Sequence, residues 1–576
     1  MINININEKA NLIWAVADKL RGDFKQSEYG KVILPLTVLR RLDCVLEDTK
    51  NKVLAKYNEL KSIMDEEVLD PFLRDESGYN FYNTSKYTFK TLLDDADNIE
   101  ANLKDYINGF SKNAYEIIEK FELDVQITKL VNSELLYIVL SEFVKPEADL
   151  HPDKVSNIEM GYIFEELIRK FSEISNETAG EHYTPREVIK LMVNLLFIED
   201  TEILTGSDTP RTIYDPACGT GGMLTAADEY LKELNSEAKL IPFGQELNGE
   251  TYAVCGSDML IKGANANNIK HGDTLKNDMY ANVKFDYMLS NPPFGVEWKK
   301  QQKEVTKEYE KLGYEGRFGA GLPRVSDGAF LFLQTLISKM KPEGSRIAIV
   351  LNGSPLFTGD AGSGESNIRK WIIENDWLEA IISLPTNLFY NTGISTYIWV
   401  LSNKKKPYRK GKIQLINAIN MYEKMRKSLG EKRQEIPEWA IEEITRTFGD
   451  FKESDISKIY DNNEFGYNKI VVERPLRDEE GNIITDKQGN PKPDAKLRDT
   501  ESIPLKEDIY EYFEREVKPY VPDAWIDESK TKIGYEIHFT RYFYEFTIPR
   551  QSNEVMTEIM NMETELQAVL GRLFEI

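Results

Sequence analysis

Apolar positions recur along this chain with two different periods, and the change of period divides it. Up to about residue 155 they fall at helical spacing. Leu12, Ile13, Val16 and Leu20 share one face of a segment at 11–20, and Leu34, Val38, Leu39, Leu42, Val45 and Leu46 share another within 32–60. The stretch 87–143 repeats the style with dense acidic faces. Residues 1–155 are therefore expected to form a helical N-terminal domain that serves packing or docking. Its Lys19, Arg40 and Arg41 are expected on solvated helix faces.

From Met160 short apolar runs alternate with helical stretches. Runs at 212–215, 241–246, 268–271, 285–289, 346–351, 378–384 and 394–401 read as buried strands, separated by helices at 224–234, 249–262 and 329–340. This alternation predicts an α/β fold, a doubly wound Rossmann-like sheet over 156–420. A helix at 162–171 and a polar loop at 172–180 precede it. Thr184 then reads as an N-cap, Pro185 as the first helical residue and Glu187 as the acid three beyond the cap. Val188, Leu191, Met192 and Leu195 follow on one face.

Past 420 the pattern is mixed. Residues 422–458 read as helical and charged, and 478–501 as exposed hairpins turning at Gly481-Asn482 and Gly489-Asn490. A terminal helix at 553–574 places Val555, Ile559, Met562, Leu566, Val569 and Leu573 on a heptad seam. Residues 421–576 thus form a C-terminal region ending in a helix suited to docking a partner.

Composition narrows the class. At 576 residues the chain exceeds a single core. No apolar run approaches the ~20 residues that span a bilayer, so no membrane association is expected. No basic, then apolar, leader is visible, and Cys44, Cys218 and Cys255 are too scattered for a disulfide framework or a zinc pattern. A cytoplasmic home follows. The net charge of −24, from 72 basic and 96 acidic residues, is opposite to that of a protein that wraps a duplex unaided. Any nucleic-acid face must be local or shared with a partner. The loop 403–412, with Lys404, Lys405, Lys406, Arg409, Lys410 and Lys412 and no acid, is the best local candidate for a phosphate contact. The long loop 295–328 is the other cation-rich stretch.

The candidate chemistry lies at strand ends. Asp215-Pro216-Ala217-Cys218-Gly219-Thr220-Gly221-Gly222 joins a strand to a helix through a glycine-rich turn. Glycines there let backbone approach a ligand, and the helix start offers free N–H groups. The lysine of a phosphate-binding loop is missing, and Asp215 suits a ligand with a cationic amine. Glu246 ends the next strand and could hold ribose hydroxyls; Asp273 follows the third and could accept from an adenine amine. The fourth ends in Ser290-Asn291-Pro292-Pro293-Phe294. The Asn291 oxygen and the Pro292 carbonyl can accept both hydrogens of an exocyclic amine while Phe294 stacks on its ring.

On these motifs, with Leu34-Pro35-Leu36-Thr37-Val38-Leu39-Arg40-Arg41, Tyr183-Thr184-Pro185-Arg186, Leu384-Pro385 and Thr392-Gly393-Ile394, the chain resembles the modification subunit of type I restriction–modification systems. The glycine loop preceding Asn-Pro-Pro-Phe matches the order in DNA adenine amino-methyltransferases. The resemblance implies transfer of a methyl group from S-adenosylmethionine to N6 of adenine in double-stranded DNA, the adenine being flipped out of the helix. No metal is implied. Glu181, His182, Tyr183, Thr184, Pro185, Arg186, Asp215, Pro216, Ala217, Gly219, Thr220, Gly221, Gly222, Glu246 and Asp273 would line the cofactor site. Asn291, Pro292, Pro293 and Phe294 would hold the base, with Phe389 as a second aromatic wall. Implied partners are a specificity subunit, a restriction subunit and a second modification subunit. A cytosine N4 or protein glutamine methyltransferase, and a non-catalytic scaffold on the same fold, stand as alternatives; Asn291 favours adenine over cytosine.

Overall fold

The structure, a computed structural model, describes residues 5–175, 184–200, 204–206, 210–390, 392–544 and 551–574. The amino-terminal part is helical, as its periodicity predicts. Helices Asn5–Leu20, Tyr29–Leu46, Ile99–Asn108, Leu123–Asn132, Leu136–Phe143 and Asn157–Ser175 turn apolar stripes into one core around Leu39, Leu42, Phe89, Leu103, Phe143 and Leu167. That core also takes in Ala253, Val254 and Leu260 of the helix Gly249–Ile261, so the helical head packs on the sheet's own layer. Arg41 departs from expectation. It is buried and donates to the carbonyls of Leu150 and Val155 and to Asn157 Oδ1, tying down the segment that leaves the head.

The strands are β1 Arg211–Asp215, β2 Leu240–Glu246, β3 Ile269–His271, β4 Tyr287–Ser290, β5 Arg346–Asn352, β6 Leu378–Ser383, β7 Thr396–Ser402 and β8 Lys412–Asn417. With β11, Ser457–Asp461, they form one nine-stranded sheet ordered β3-β2-β1-β4-β5-β7-β6-β8-β11. Pairings from β3 to β5 are all parallel, and β7 inserts antiparallel between β5 and β6. Ile347, Ala348, Ile349, Val350 and Leu351 are all buried, as an uninterrupted apolar run requires when both faces of a sheet are covered. From β1 the chain winds outward one way through β2 and β3. At β4 it returns to the other side of β1 and continues to β5, so a crevice opens at the carboxyl ends of β1 and β4.

Three stretches differ from the sequence reading. Residues 423–435 form an antiparallel hairpin, β9 Glu423–Leu429 and β10 Lys432–Glu435, and only Glu438–Asp450 is helical. The Lys, Arg and Glu of this stretch have good helix propensity, but Gly430 at φ 62° turns the chain and backbone bonds to residues 387 and 390 hold it extended. The loop 295–328 contains a helix, Gln302–Leu312, over a small core of Leu275, Trp298, Val305, Phe318 and Leu331. Half of the six cations of 403–412 are paired within the fold. Lys405 is buried against Asp376 at 2.6 Å, Lys412 pairs with Asp461 at 3.0 Å, and buried Arg409 pairs with Glu199 at 3.1 Å between the rings of Phe448 and Phe451.

Beyond the large sheet, β12 Gly466–Glu473 pairs with β13 Asp499–Pro504, β14 Trp525–Ile526 and β15 Lys532–Tyr535. The expected exposed hairpins are present, with bridges Arg477–Ile483 and Thr485–Pro491 and Gly481 and Gly489 at positive φ. Residues 538–576 form a separate unit dominated by the helix Ser552–Phe574. Val555, Ile559, Met562, Leu566 and Val569 are exposed along that helix. Among the described residues, no helix is long and apolar enough to cross a membrane.

The burial of Arg409 yields a test. Arg409→Ala should cost about 3–5 kcal/mol, because it strands the Glu199 carboxylate and empties the slot between two rings. The exposed neighbour Lys410 should cost less than about 0.5 kcal/mol on the same change. Urea unfolding of the two variants separates a structural cation from a surface one.

Candidate active site

The crevice is built from turn chemistry. β1 ends in Asp215, and Gly219 at φ 54° and Gly221 at φ 79° carry the chain into the helix Gly222–Leu234. A Cβ on Gly221 would meet Cys255 Sγ at 2.6 Å, so the close helix–helix approach here requires glycine. Asp215 is buried. Its Oδ1 accepts from the Ala217 N–H at 3.0 Å and from Ser290 Oγ at 2.8 Å. The second bond joins the carboxyl ends of β1 and β4. Burial pushes the Asp215 carboxyl up to about 7, nearby Glu246 adding to the rise and these two donors opposing it.

Pro292 and Pro293 stop β4 and leave Asn291 at the crevice. Asn291 Nδ2 donates to Thr184 Oγ1 at 3.0 Å, whereas Asn291 Oδ1 is buried and accepts no hydrogen bond from the described residues. Phe294 meets Phe389 edge-on, with ring centroids 5.7 Å apart, so the two expected aromatic walls come together. Asp215, Ala217, Gly219, Thr220, Gly222 and Asn291 line one pocket with Thr184 and Glu165.

The other expected residues are placed as follows. Thr184 is not the helix cap: the helix starts at Arg186, its first turn hydrogen-bonds to the Pro185 carbonyl, and the Thr184 hydroxyl serves Asn291. Arg186 lies over the Tyr162 ring at 4.4 Å and pairs with Glu165 at 3.0 Å. The Pro216 carbonyl accepts from Thr274 Oγ1 at 2.6 Å. Glu246 accepts from the N–H groups of Gly219 (2.8 Å) and Asn248 (2.7 Å), bracing the glycine loop. Asp273 accepts from Gln301 Nε2 at 2.8 Å and from the Leu275 N–H at 3.0 Å. Glu181, His182 and Tyr183 lie outside the described residues.

A family model described as N-6 DNA Methylase matches residues 156–489, more than half of the chain. The chain belongs to the N-6 DNA methylase family. A second model, the HsdM N-terminal domain, matches residues 9–143. The MjaIX type I restriction enzyme methylase subunit of Methanocaldococcus jannaschii is 28% identical over 477 residues, 81% of each chain. The EcoEI methylase subunit of Escherichia coli is 30% identical over 313 residues, covering 52% of this chain and 57% of that one. In fold, the chain is similar to a type I restriction–modification methyltransferase subunit from Streptococcus thermophilus, with TM-score 0.62 and 24% identity over 80% of this chain and 97% of that one. These findings bear out the resemblance drawn from the motifs and give this N-6 DNA methylase a DNA methyltransferase role.

Three site residues escaped the sequence reading. Glu165 sits beside the apolar face formed by Met160, Ile163, Phe164 and Leu167, and that position was its only signal. Gln301 came from a loop whose fold was not legible. Ser290 stood inside the quoted motif, but only the pairing of β1 and β4 through one hydroxyl gives it a role.

Asp215 makes stability depend on pH. Its folded value, about 7, lies above the 3.8 of an ordinary aspartate, so the fold favours the neutral acid. That stability is fully present below pH 3.8 and is lost as pH rises through 7, to the extent of ~4 kcal/mol. Asp215→Asn keeps both hydrogen bonds without the charge. Thermal melts should show the variant more stable than the parent chain at pH 8, the gap closing as pH falls toward 4; a gap independent of pH would refute the assignment.

Proposed function

We propose that the chain transfers a methyl group from S-adenosylmethionine to N6 of adenine in DNA, as the modification subunit of a type I restriction–modification complex. The observation that carries this reading is Asn291 Oδ1, a buried acceptor without a partner among the described residues, set beside a proline turn and two aromatic rings. A buried unpaired oxygen costs about 1–3 kcal/mol, and an amine hydrogen at this position would recover it. Asn291 Oδ1 and the Pro292 carbonyl together match the two hydrogens of an exocyclic amine. Accepting both localises the nitrogen lone pair, which conjugation otherwise spreads into the ring. Phe294 offsets part of the unstacking cost of a flipped base, a few kcal/mol, by stacking on it. Thr184 fixes the Asn291 amide so that its oxygen, and not its nitrogen, faces the amine.

The crevice also fits S-adenosylmethionine, which supplies a methyl group already activated on a sulfonium. The glycine loop admits a ligand close to backbone, and the N–H groups opening the helix 222–234 suit a carboxylate. Asp215, held near neutrality, gains its charge when a cationic amine arrives. Glu246 and Asp273 keep acceptor capacity for ribose hydroxyls and an adenine amine. Thr184 and Arg186 complete the wall, Arg186 through its ion pair with Glu165. We place the working parts as a helical domain at 1–155, a methyltransferase domain at 156–420 and a C-terminal region at 421–576.

The relatives are named as methylase subunits of type I restriction enzymes, which supports assembly into such a complex; a specificity subunit, a restriction subunit and a second modification subunit are the partners we propose. The exposed seam of the helix Ser552–Phe574 is the docking element for the specificity subunit.

Two experiments test this reading. Asn291→Ala should leave S-adenosylmethionine binding near normal in calorimetry and lower methyl transfer by ~10²-fold or more; full activity would sink the assignment. Removing residues 552–576 should leave a folded chain that binds S-adenosylmethionine but no longer co-elutes with the specificity subunit, and normal co-elution would reject the docking role.

A further inference from the structure

We propose that the β9–β10 hairpin, residues 423–435, is a DNA-backbone clamp that grips phosphates flanking the extruded base. This inference rests on the reaction proposed above and adds a surface to it.

The hairpin is fastened to the target site at three points. Arg433 and Glu431 donate their N–H groups to the carbonyls of Asn387 (3.0 Å) and Tyr390 (2.7 Å). Asn387 Nδ2 returns a bond to the Glu431 carbonyl at 3.3 Å. Buried Lys432 pairs with Glu187, in the first turn of the helix that follows Thr184. Between Asn387 and Tyr390 lies Phe389, whose ring meets Phe294. The hairpin is thus continuous with the wall of the base pocket.

Its exposed charged side chains are Lys424, Arg426, Lys427 and Arg433, with Glu423, Glu431 and Glu435 among them. Lys424, Arg426 and Lys427 are exposed, and no carboxylate among the described residues pairs with them. Arg433 makes only a loose contact with Glu431, 3.7 Å between exposed side chains. In a chain of net charge −24, three of the six cations of 403–412, Lys405, Arg409 and Lys412, are paired within the fold. Lys424, Arg426 and Lys427 of the hairpin are not. Unpaired cations held rigidly beside a pocket for a flipped base fit phosphates, because extruding a nucleotide requires its flanking backbone to be held. A solvated hairpin tip would not need fastening to the pocket at three points.

The test is the salt dependence of duplex binding by the full chain assembled with its specificity subunit, followed by fluorescence anisotropy. Each phosphate contact contributes about 0.9 to the slope of log K against log salt. The triple variant Lys424→Ala, Arg426→Ala, Lys427→Ala should therefore flatten the slope by about 2 to 3 and weaken binding by roughly tenfold or more near physiological salt. The charge-keeping variant Lys424→Arg, Arg426→Lys, Lys427→Arg should keep the slope, and single alanine variants should each remove about 0.9. Calorimetry with S-adenosylmethionine reports that each variant is folded. An unchanged slope in the triple variant overturns the clamp. Methyl transfer by the parent chain to the same duplex is scored separately, so failure of the clamp and failure of the proposed reaction give different results.

Discussion

One hydrogen bond organises the site. Ser290 Oγ donates to Asp215 Oδ1 at 2.8 Å, both side chains being buried. It joins the carboxyl end of β1 to that of β4, the two strands between which the winding of the sheet reverses. Upstream of it runs the glycine loop, braced by Glu246; downstream runs the turn that presents Asn291. Thr184 adds the second tie, from the start of the helix Arg186–Phe197 to the Asn291 amide. The glycine loop and the Asn291 turn are thereby held in one frame. For a reaction limited by alignment of a nucleophile with an activated methyl group, such a frame is the main thing the protein supplies.

The same frame buries two acceptors. Asp215 has two hydrogen-bond donors but no cation beside it among the described residues, and Asn291 Oδ1 has no donor among them. Asp215 is the acceptor of the Ser290 bond, and Asn291 follows its donor in the chain. Each would be relieved by a different ligand, a cationic amine for the first and an exocyclic amine for the second. Stability withheld at two such positions is a common mark of a preorganised site.

Much of this was legible in the sequence, because the signals are local. Glycines at 219 and 221 and prolines at 292 and 293 act through their own backbone, and alternating runs reveal strands wherever the sheet is covered on both faces. What was not legible depends on partners distant in sequence. The charges of 403–412 look free until Glu199, Asp376 and Asp461 are brought beside them. Arg41 reads as a surface cation until the carbonyls of Leu150 and Val155 close over it. Residues 423–435 carry helix-forming side chains, yet tertiary pairing draws them into a hairpin. Thr184 satisfies every local rule for a cap and serves Asn291 instead, because the proline after it lets the helix begin one residue later.

The central claim is that a planar amine, and specifically N6 of adenine, enters between Asn291 and the paired rings. It is tested most directly by the product. Duplex DNA incubated with the assembled complex and methyl-labelled S-adenosylmethionine, digested to nucleosides and separated by mass spectrometry, should carry the label on N6-methyladenine. Label recovered as N4-methylcytosine, or on protein and not on DNA, would contradict the account.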